Sequence, residues 1–140
     1  MTVTTDTIIE ANKRIALEFL AASAIHDPAV VDRLMTEDST YWVAGKPHLF
    51  PYAGVQTKTQ IVAYMATPSI FPAGLKQTIG AVTAEADRVA VEVEVDGLTA
   101  AGRHYNNFYH YLFTFRGGRI SGIKEYVDSY HAAEIFQGKA

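Results

Sequence analysis

Thirteen consecutive residues in the last third of the chain, RHYNNFYHYLFTF from Arg103 to Phe115, leave little freedom of local structure. Aromatic side chains dominate the stretch, and such side chains suit a pleated, half-buried surface better than a helix. Arg116, Gly117, Gly118 and Arg119 supply a turn, because glycine reaches positive φ without steric cost. The chain is then predicted to return as a strand from Ile120 to Asp128, with Ile123, Glu125 and Val127 on one face and Lys124, Tyr126 and Asp128 on the other. A carboxylate therefore stands between two apolar residues on one face. Desolvating a charge is unfavourable, so a carboxylate in that position points to a function. A short helix follows, through Phe136.

The preceding residues supply helices and more strands. Ile8, Ile15 and Phe19 with Ile9, Ala16 and Leu20 form an apolar stripe at helical spacing, which predicts a first helix from Thr5 or Asp6 to about Ala24. Asp27 and Pro28 are a cap and a first-turn proline, and start a second helix that runs through Leu34. Glu37, Asp38 and Ser39 read as a turn, and Thr40 to Ala44 as a strand led by Tyr41 and Trp42. From Gly45 to Gly54 there is no periodicity, only two prolines and two glycines with His48, Phe50 and Tyr52. Such a loop has the aromatic content of a lid and is expected to border a pocket and to carry ligand selectivity. Thr57 and Gln60 have capping-box spacing at the start of a third helix, which stops at Thr67 and Pro68. Leu75 to about Ala84 and Val89 to Ala100 complete a run of strands, and their short connections predict an antiparallel meander.

Length and composition bound the rest. At 140 residues the chain is read as one domain, 1–140, large enough to fold around its own core. It has no cysteine, which leaves out disulfides and thiolate metal sites. Its 12 Lys and Arg are scattered among 15 Asp and Glu, so no nucleic-acid footprint is present. Met1 to Asp6 has neither a basic region nor an apolar core, and no apolar run approaches membrane length, so a cytoplasmic protein with no membrane partner is expected. His26 lies at a helix junction, His48 in the aromatic loop and His131 after the last strand; His104 and His110 share the face opposite Asn107. None of these has metal-ligand spacing on one element, and neither a metal nor a cofactor is expected.

The order of helices and strands, the aromatic meander and the ending GRISGIKEYVDSYHAAEIF resemble the SnoaL-like members of the NTF2-like, or cystatin-like, superfamily. The frame formed by Gly102-Arg103-His104-Tyr105-Asn106, Gly118-Arg119-Ile120-Ser121-Gly122 and Lys124-Glu125-Tyr126-Val127-Asp128 is similar to that of the limonene-1,2-epoxide hydrolases. The resemblance implies an α+β fold: a cone of three N-terminal helices packed on a curved, mostly antiparallel sheet, with a short C-terminal helix. It also implies a superfamily that spans ketosteroid isomerases, polyketide cyclases, dehydratases and epoxide hydrolases as well as members without chemistry.

The resemblance carries specific residues. Glu125 falls where the hydrolase and the SnoaL-type cyclase place a catalytic aspartate, and Glu94 falls on the second catalytic aspartate of the hydrolase. Glu92 stands where that enzyme has an arginine, so its triad is not reproduced. Alternation alone would send Val89, Val91, Val93 and Val95 inward and these glutamates outward; the resemblance implies the reverse for Glu92 and Glu94. Asn107 and Tyr109 align with pocket-wall residues, and Tyr111, Ile123, Val127, Trp42 and Phe50 complete the expected substrate-binding set.

The expected function is cofactor-independent proton transfer on a small, mostly apolar, oxygenated molecule: isomerisation, cyclisation, dehydration or hydration, with Glu125 as acid or base, Glu92 and Glu94 completing the catalytic set by tuning it, and Asn107 and Tyr109 orienting the substrate. The alternative is a domain that binds a small molecule, or serves as a scaffold, without chemistry; its mark would be carboxylates tied up in salt bridges with Arg103 or Lys124. Apolar content on both faces of the sheet predicts a homodimer, with Val91, Val93, Phe108 and Leu112 turned away from the helices.

Overall fold

The computed structural model describes residues 4–137. Its first helix, α1 (Thr5–Ala24), is capped by Thr4, whose hydroxyl accepts the Thr7 N–H, and buries Asn12, Ala16, Phe19 and Leu20 along one stripe. Asp27 caps the next helix, α2 (Pro28–Leu34), by accepting from Val30 N–H. The chain then passes directly into β1 (Met35–Val43), crosses the aromatic loop, and forms β2 (Gly54–Thr57). Thr57 and Gln60 form the full capping box of α3 (Lys58–Met65). Four long strands follow, β3 (Lys76–Glu85), β4 (Arg88–Leu98), β5 (His104–Arg116) and β6 (Arg119–Val127), before α4 (Ser129–Phe136).

The six strands make one curved, open sheet in the order β2-β1-β6-β5-β4-β3. Its long half is the antiparallel meander that the sequence leads one to expect, β3 to β6. The other half differs. β1 begins at Met35, earlier than the expected Thr40, and pairs in parallel with β6, with an irregularity between Met35 and Thr40. Its first residues are polar, and strand structure survives there because cations from elsewhere in the chain meet them. The Lys58 ammonium, almost wholly buried, binds the Met35 carbonyl, Asp32 and Glu37, and Arg116 binds Asp38. β2, four residues for which no strand is expected, begins on the last residue of the expected loop, Gly54, and runs antiparallel to β1 up to the cap of α3.

The helices cover one face of the sheet, and period-two alternation decides what lies beneath them. On β5 the covered residues are Tyr105, Asn107, Tyr109, Tyr111, Phe113 and Phe115. Their rings descend the strand as a ladder, Tyr109 on Tyr111 at 5.5 Å, Tyr111 on Phe113 at 5.9 Å and Phe113 on Phe115 at 6.5 Å. Phe19 of α1 is completely buried against this ladder, with its ring edge-on to Phe113 at 5.8 Å and tilted against Tyr41 at 6.3 Å. On β4 the covered residues are Val89, Val91, Val93 and Val95, all essentially buried.

That placement corrects two expectations. Val91 and Val93 lie under the helices and not on the outer face, whereas Phe108, 65% exposed, does face outward. Glu92 and Glu94 accordingly point away from the helices. Glu92 accepts from Ala81 N–H at an irregularity in β3, where the ladder leaves that donor unpaired, and Glu94 accepts from the Asn106 amide. No described helix is long and apolar enough to cross a membrane.

Because Phe19 joins the helical layer to the aromatic ladder, Phe19→Ala should cost about 3–5 kcal/mol in a urea titration, and Phe19→Leu distinctly less. Equal losses from the two would mean that the ring itself, and not the bulk that leucine keeps, holds the layers together.

Candidate active site

β6 sends Ile123, Glu125 and Val127 to the helical side, and its neighbours determine what surrounds them. Across the antiparallel ladder Tyr111 is opposite Glu125 and Tyr109 opposite Val127; across the parallel one, Val43 is opposite Glu125. Beneath the helices these residues do not close completely. They leave a cavity of about 380 Å³, in the size range of small-molecule sites. Glu125, Tyr41, Tyr109, Tyr111 and Val127 form its sheet wall, and Phe50, Ile61, Met65, Phe71 and Phe136 its apolar sides. Polar groups of Ser23, His26, Gln56, Gln60, Tyr64 and Gln77 line the helical side and the rim. Among the described lining residues there is no lysine, no arginine and no aspartate.

Among the described residues Glu125 is the only carboxylate lining this cavity. Its Oε1 accepts a hydrogen bond from the Tyr41 hydroxyl at 2.5 Å. Among the described residues it forms no salt bridge: the Arg103 guanidinium donates to the Glu134 carbonyl, and Lys124 lies over the Trp42 ring on the other side of the sheet. Burial without a cation pushes the Glu125 carboxyl up to about 7, and the Tyr41 hydrogen bond pulls only partly against this. The phenols respond to the same environment. Burial, and then the nearby Glu125 charge, hold Tyr41, Tyr109 and Tyr111 well above the ordinary phenol value. All three are hydrogen-bond donors at any physiological pH.

One of them is aimed. Asn107, 2% exposed, uses its amide N–H groups on the Tyr105 hydroxyl and the Asp128 carbonyl, both at 3.0 Å, while its Oδ1 accepts from Phe108 N–H. Tyr105 is completely buried, and its remaining hydroxyl partner is Tyr109 Oη at 2.6 Å. Since an amide N–H already points at Tyr105 Oη, the Tyr105 proton has only Tyr109 to go to. Tyr109 therefore accepts from Tyr105 and keeps its own proton free for the cavity, on the same wall as Glu125.

The residues expected from sequence separate accordingly. The structure brings Glu125, Tyr109, Tyr111, Val127 and Phe50 together around the cavity. Asn107 is one step behind the wall, orienting it through Tyr105. Ile123 is core, 2% exposed beneath the ladder. Glu92 and Glu94 border a shallow groove on the opposite face of the sheet, so they do not join Glu125. Trp42 also lies on that face, packed edge-on against Tyr126 at 5.4 Å, because Tyr41 points inward and alternation sends its neighbour out. The lid expectation divides in the same way: Phe50 and Tyr52 border the cavity, and Tyr52 reaches across to the Phe136 carbonyl. Sequence reasoning missed Tyr41, Tyr105 and His26. Tyr41 was within reach, since a strand with an aromatic pair must place one ring inward. Among the described residues no three His, Asp or Glu side chains converge to hold a metal ion.

Comparison with known proteins agrees with this architecture. No curated protein matches the sequence. A protein of Jannaschia sp. CCS1 assigned as a SnoaL-like polyketide cyclase superposes with a TM-score of 0.76 at 17% identity, over 95% of this chain and 96% of that one. An LEH-like epoxide hydrolase of M. tuberculosis gives 0.69 at 18% identity, over 93% of this chain and 90% of that one. TerC, crystallised with polyporic acid, gives 0.73 at 15% identity, over 91% and 98%. At these identities the likeness establishes the fold. Residues 16–123 match the family model of the SnoaL-like domain, and with that span and this fold the chain belongs to the SnoaL-like family.

Proposed function

We propose that the chain is a cofactor-independent enzyme that moves a proton on a small, neutral, oxygenated molecule, in the manner of an isomerase, cyclase, dehydratase or hydrolase. The observation that carries this reading is Glu125: a carboxylate on a cavity wall, without a cationic partner among the described residues, and held near the middle of the physiological range. A group in that condition can both take and return a proton at neutral pH, which a carboxyl at its ordinary value does poorly. Tyr109 supplies the second element. Its free O–H is fixed by Asn107 and Tyr105 before any substrate arrives, so it can meet negative charge as it develops on a substrate oxygen. The absence of lysine and arginine from the described lining favours a neutral substrate over a carboxylate or phosphate.

The alternative, a domain that binds a small molecule or acts as a scaffold without turnover, draws support from the same apolar cavity. It would be favoured by a carboxylate locked in a salt bridge, and Glu125 is in none among the described residues. A panel of small cyclic ketones, enones, β-hydroxyketones and epoxides, followed by NMR in D2O for turnover and deuterium uptake, separates the two. Glu125→Gln keeps volume and the acceptor for Tyr41 and should lower the rate by about two to four orders of magnitude with the fold intact. Binding without turnover anywhere in the panel, with a variant that merely unfolds, would establish the binding domain instead. Tyr109→Phe should lower the rate by about 10²-fold, with little change in stability.

Stability gives an independent check of the Glu125 environment. Its carboxyl is raised in the fold, so unfolding is favoured as pH rises from the ordinary carboxyl value toward about 7, where the unfolded chain is ionised and the folded one is not. Above that the loss is complete. The stability gained by Glu125→Gln over the native chain should therefore be near zero below pH about 4 and level off above pH about 7. A difference independent of pH would mean an ordinary, hydrated carboxylate.

We also infer that the uncovered face of the sheet is shared with a second copy of the chain. Phe108 and Tyr126, 65% and 44% exposed, join Trp42 and Leu112 there, with Lys124 over the Trp42 ring and His110 opposite Glu92. Such a face carries both signs of charge around an apolar centre, as a two-fold contact requires. Sedimentation at micromolar concentration should give a dimer, and Phe108→Glu a monomer; a native monomer ends the idea.

A further inference from the structure

We propose that His26 is a second ligand-recognition residue, whose Nε2 accepts a hydrogen bond from a hydroxyl group at the far part of the substrate, so that the substrate class is a hydroxylated one with two separated oxygens. This rests on the reading of the cavity as the substrate site.

Three observations at His26 converge. The first is conformational. His26 has φ of 54°, in the left-handed region where glycine sits without penalty, just past the end of α1. Histidine is among the few residues other than glycine that adopt that conformation readily, and here it ends α1 and turns the chain toward α2. The second is the hydrogen bond at the other ring nitrogen. Nδ1 is 2.9 Å from the Thr67 carbonyl oxygen, which can only accept, so Nδ1 carries the proton. In the neutral ring Nε2 then presents a lone pair. No described side chain occupies that lone pair, and the ring is steadied by Tyr64, 5.0 Å away. The third is position. His26 lines the same cavity as Glu125 but comes from the corner between α1 and α2, whereas Glu125 comes from the sheet.

The two walls thus offer complementary chemistry. At the sheet, Tyr109 offers a proton and Glu125 exchanges one; at the helical corner His26 offers only an acceptor. A ligand that satisfies both carries an oxygen for Tyr109 and Glu125 at one end and an O–H at the other, with apolar carbon between them against Phe71 and Met65. A ligand with one oxygen alone would leave the imidazole lone pair to water.

The test uses calorimetric titration of the whole chain with 2-naphthol and with its dihydroxy relatives, the 1,5-, 2,6- and 2,7-naphthalenediols, at about pH 8, where an ordinary imidazole is neutral. At least one diol should bind the native chain about tenfold more tightly than 2-naphthol, the equivalent of one added hydrogen bond. His26→Gly, which relieves the backbone and should fold at least as well, should bring that diol to the level of 2-naphthol and leave 2-naphthol unchanged. His26→Asn, another residue tolerant of positive φ, guards against a glycine-specific loosening and should give the same levelling. In the native chain the His26 Nε2 nitrogen resonance should move with the diol and not with 2-naphthol. If 2-naphthol binds but no diol gains, or if the gain survives both substitutions, the role of His26 is overturned while the cavity stands. If neither 2-naphthol nor any diol binds, the reading of the cavity falls, and this inference with it.

Discussion

The structure turns on one unfavourable act, the burial of the Glu125 carboxylate with no cation beside it among the described residues. Desolvation raises its proton affinity until the carboxyl lies near 7, and everything arranged around it either tolerates or exploits that. The ladder of rings on β5 presents an apolar wall in which a charge is poorly solvated. Tyr41 gives back part of the lost hydration through one short hydrogen bond. A guanidinium in the same place would have stabilised the charged form and returned the group to an ordinary acid. With none among the described lining residues, the carboxyl stays raised.

Parallel pairing of β1 with β6 makes this arrangement possible. It places Val43 beside Glu125 and Tyr41 beside Ile123, so that Tyr41, two residues back on the same face, can lean over the carboxylate. The pairing depends in turn on the far end of β1, where Lys58 and Arg119 both donate to the Met35 carbonyl. A buried ammonium is favourable only when its partners are in place, and here two carboxylates and a carbonyl provide them. A polar cluster at one end of a strand and the surroundings of Glu125 at the other are thus parts of a single register.

Much of this was legible in the chain. The β5–β6 hairpin, its glycine turn, the helical stripe of α1 and the capping box of α3 each follow from local rules, and the structure has all of them. The inward face of β6, with Glu125 between Ile123 and Val127, was readable for the same reason. What local rules could not supply was non-local. The partnership of β1 and β6 joins segments some 80 residues apart, visible in the span from Tyr41 to Glu125, and no turn connects them. The start of β1 is polar and reads as a turn until the cations that neutralise it are placed. Glu92 and Glu94 teach a different lesson. Their alternation with valine said outward, resemblance to the epoxide hydrolases said inward, and the pattern prevailed because four valines on one strand bury more apolar surface than any arrangement that exposes them.

Losing Glu94 from the cavity also changes what chemistry the fold can perform. Two carboxylates facing each other would divide the work of acid and base between them, one raised and one ordinary. On the proposed reading, with Glu125 alone among the described lining residues, the same group would take the proton and give it back, while the charge that appears in between would be met by a neutral donor, Tyr109. That favours reactions in which a proton leaves one atom of the substrate and returns to another nearby, over those that need a water activated on the opposite side. Glutamate suits such a shuttle better than aspartate, since its additional methylene lets the carboxylate reach two positions. The Tyr41 hydrogen bond limits that freedom to a swing about one fixed oxygen, leaving the other to carry the proton.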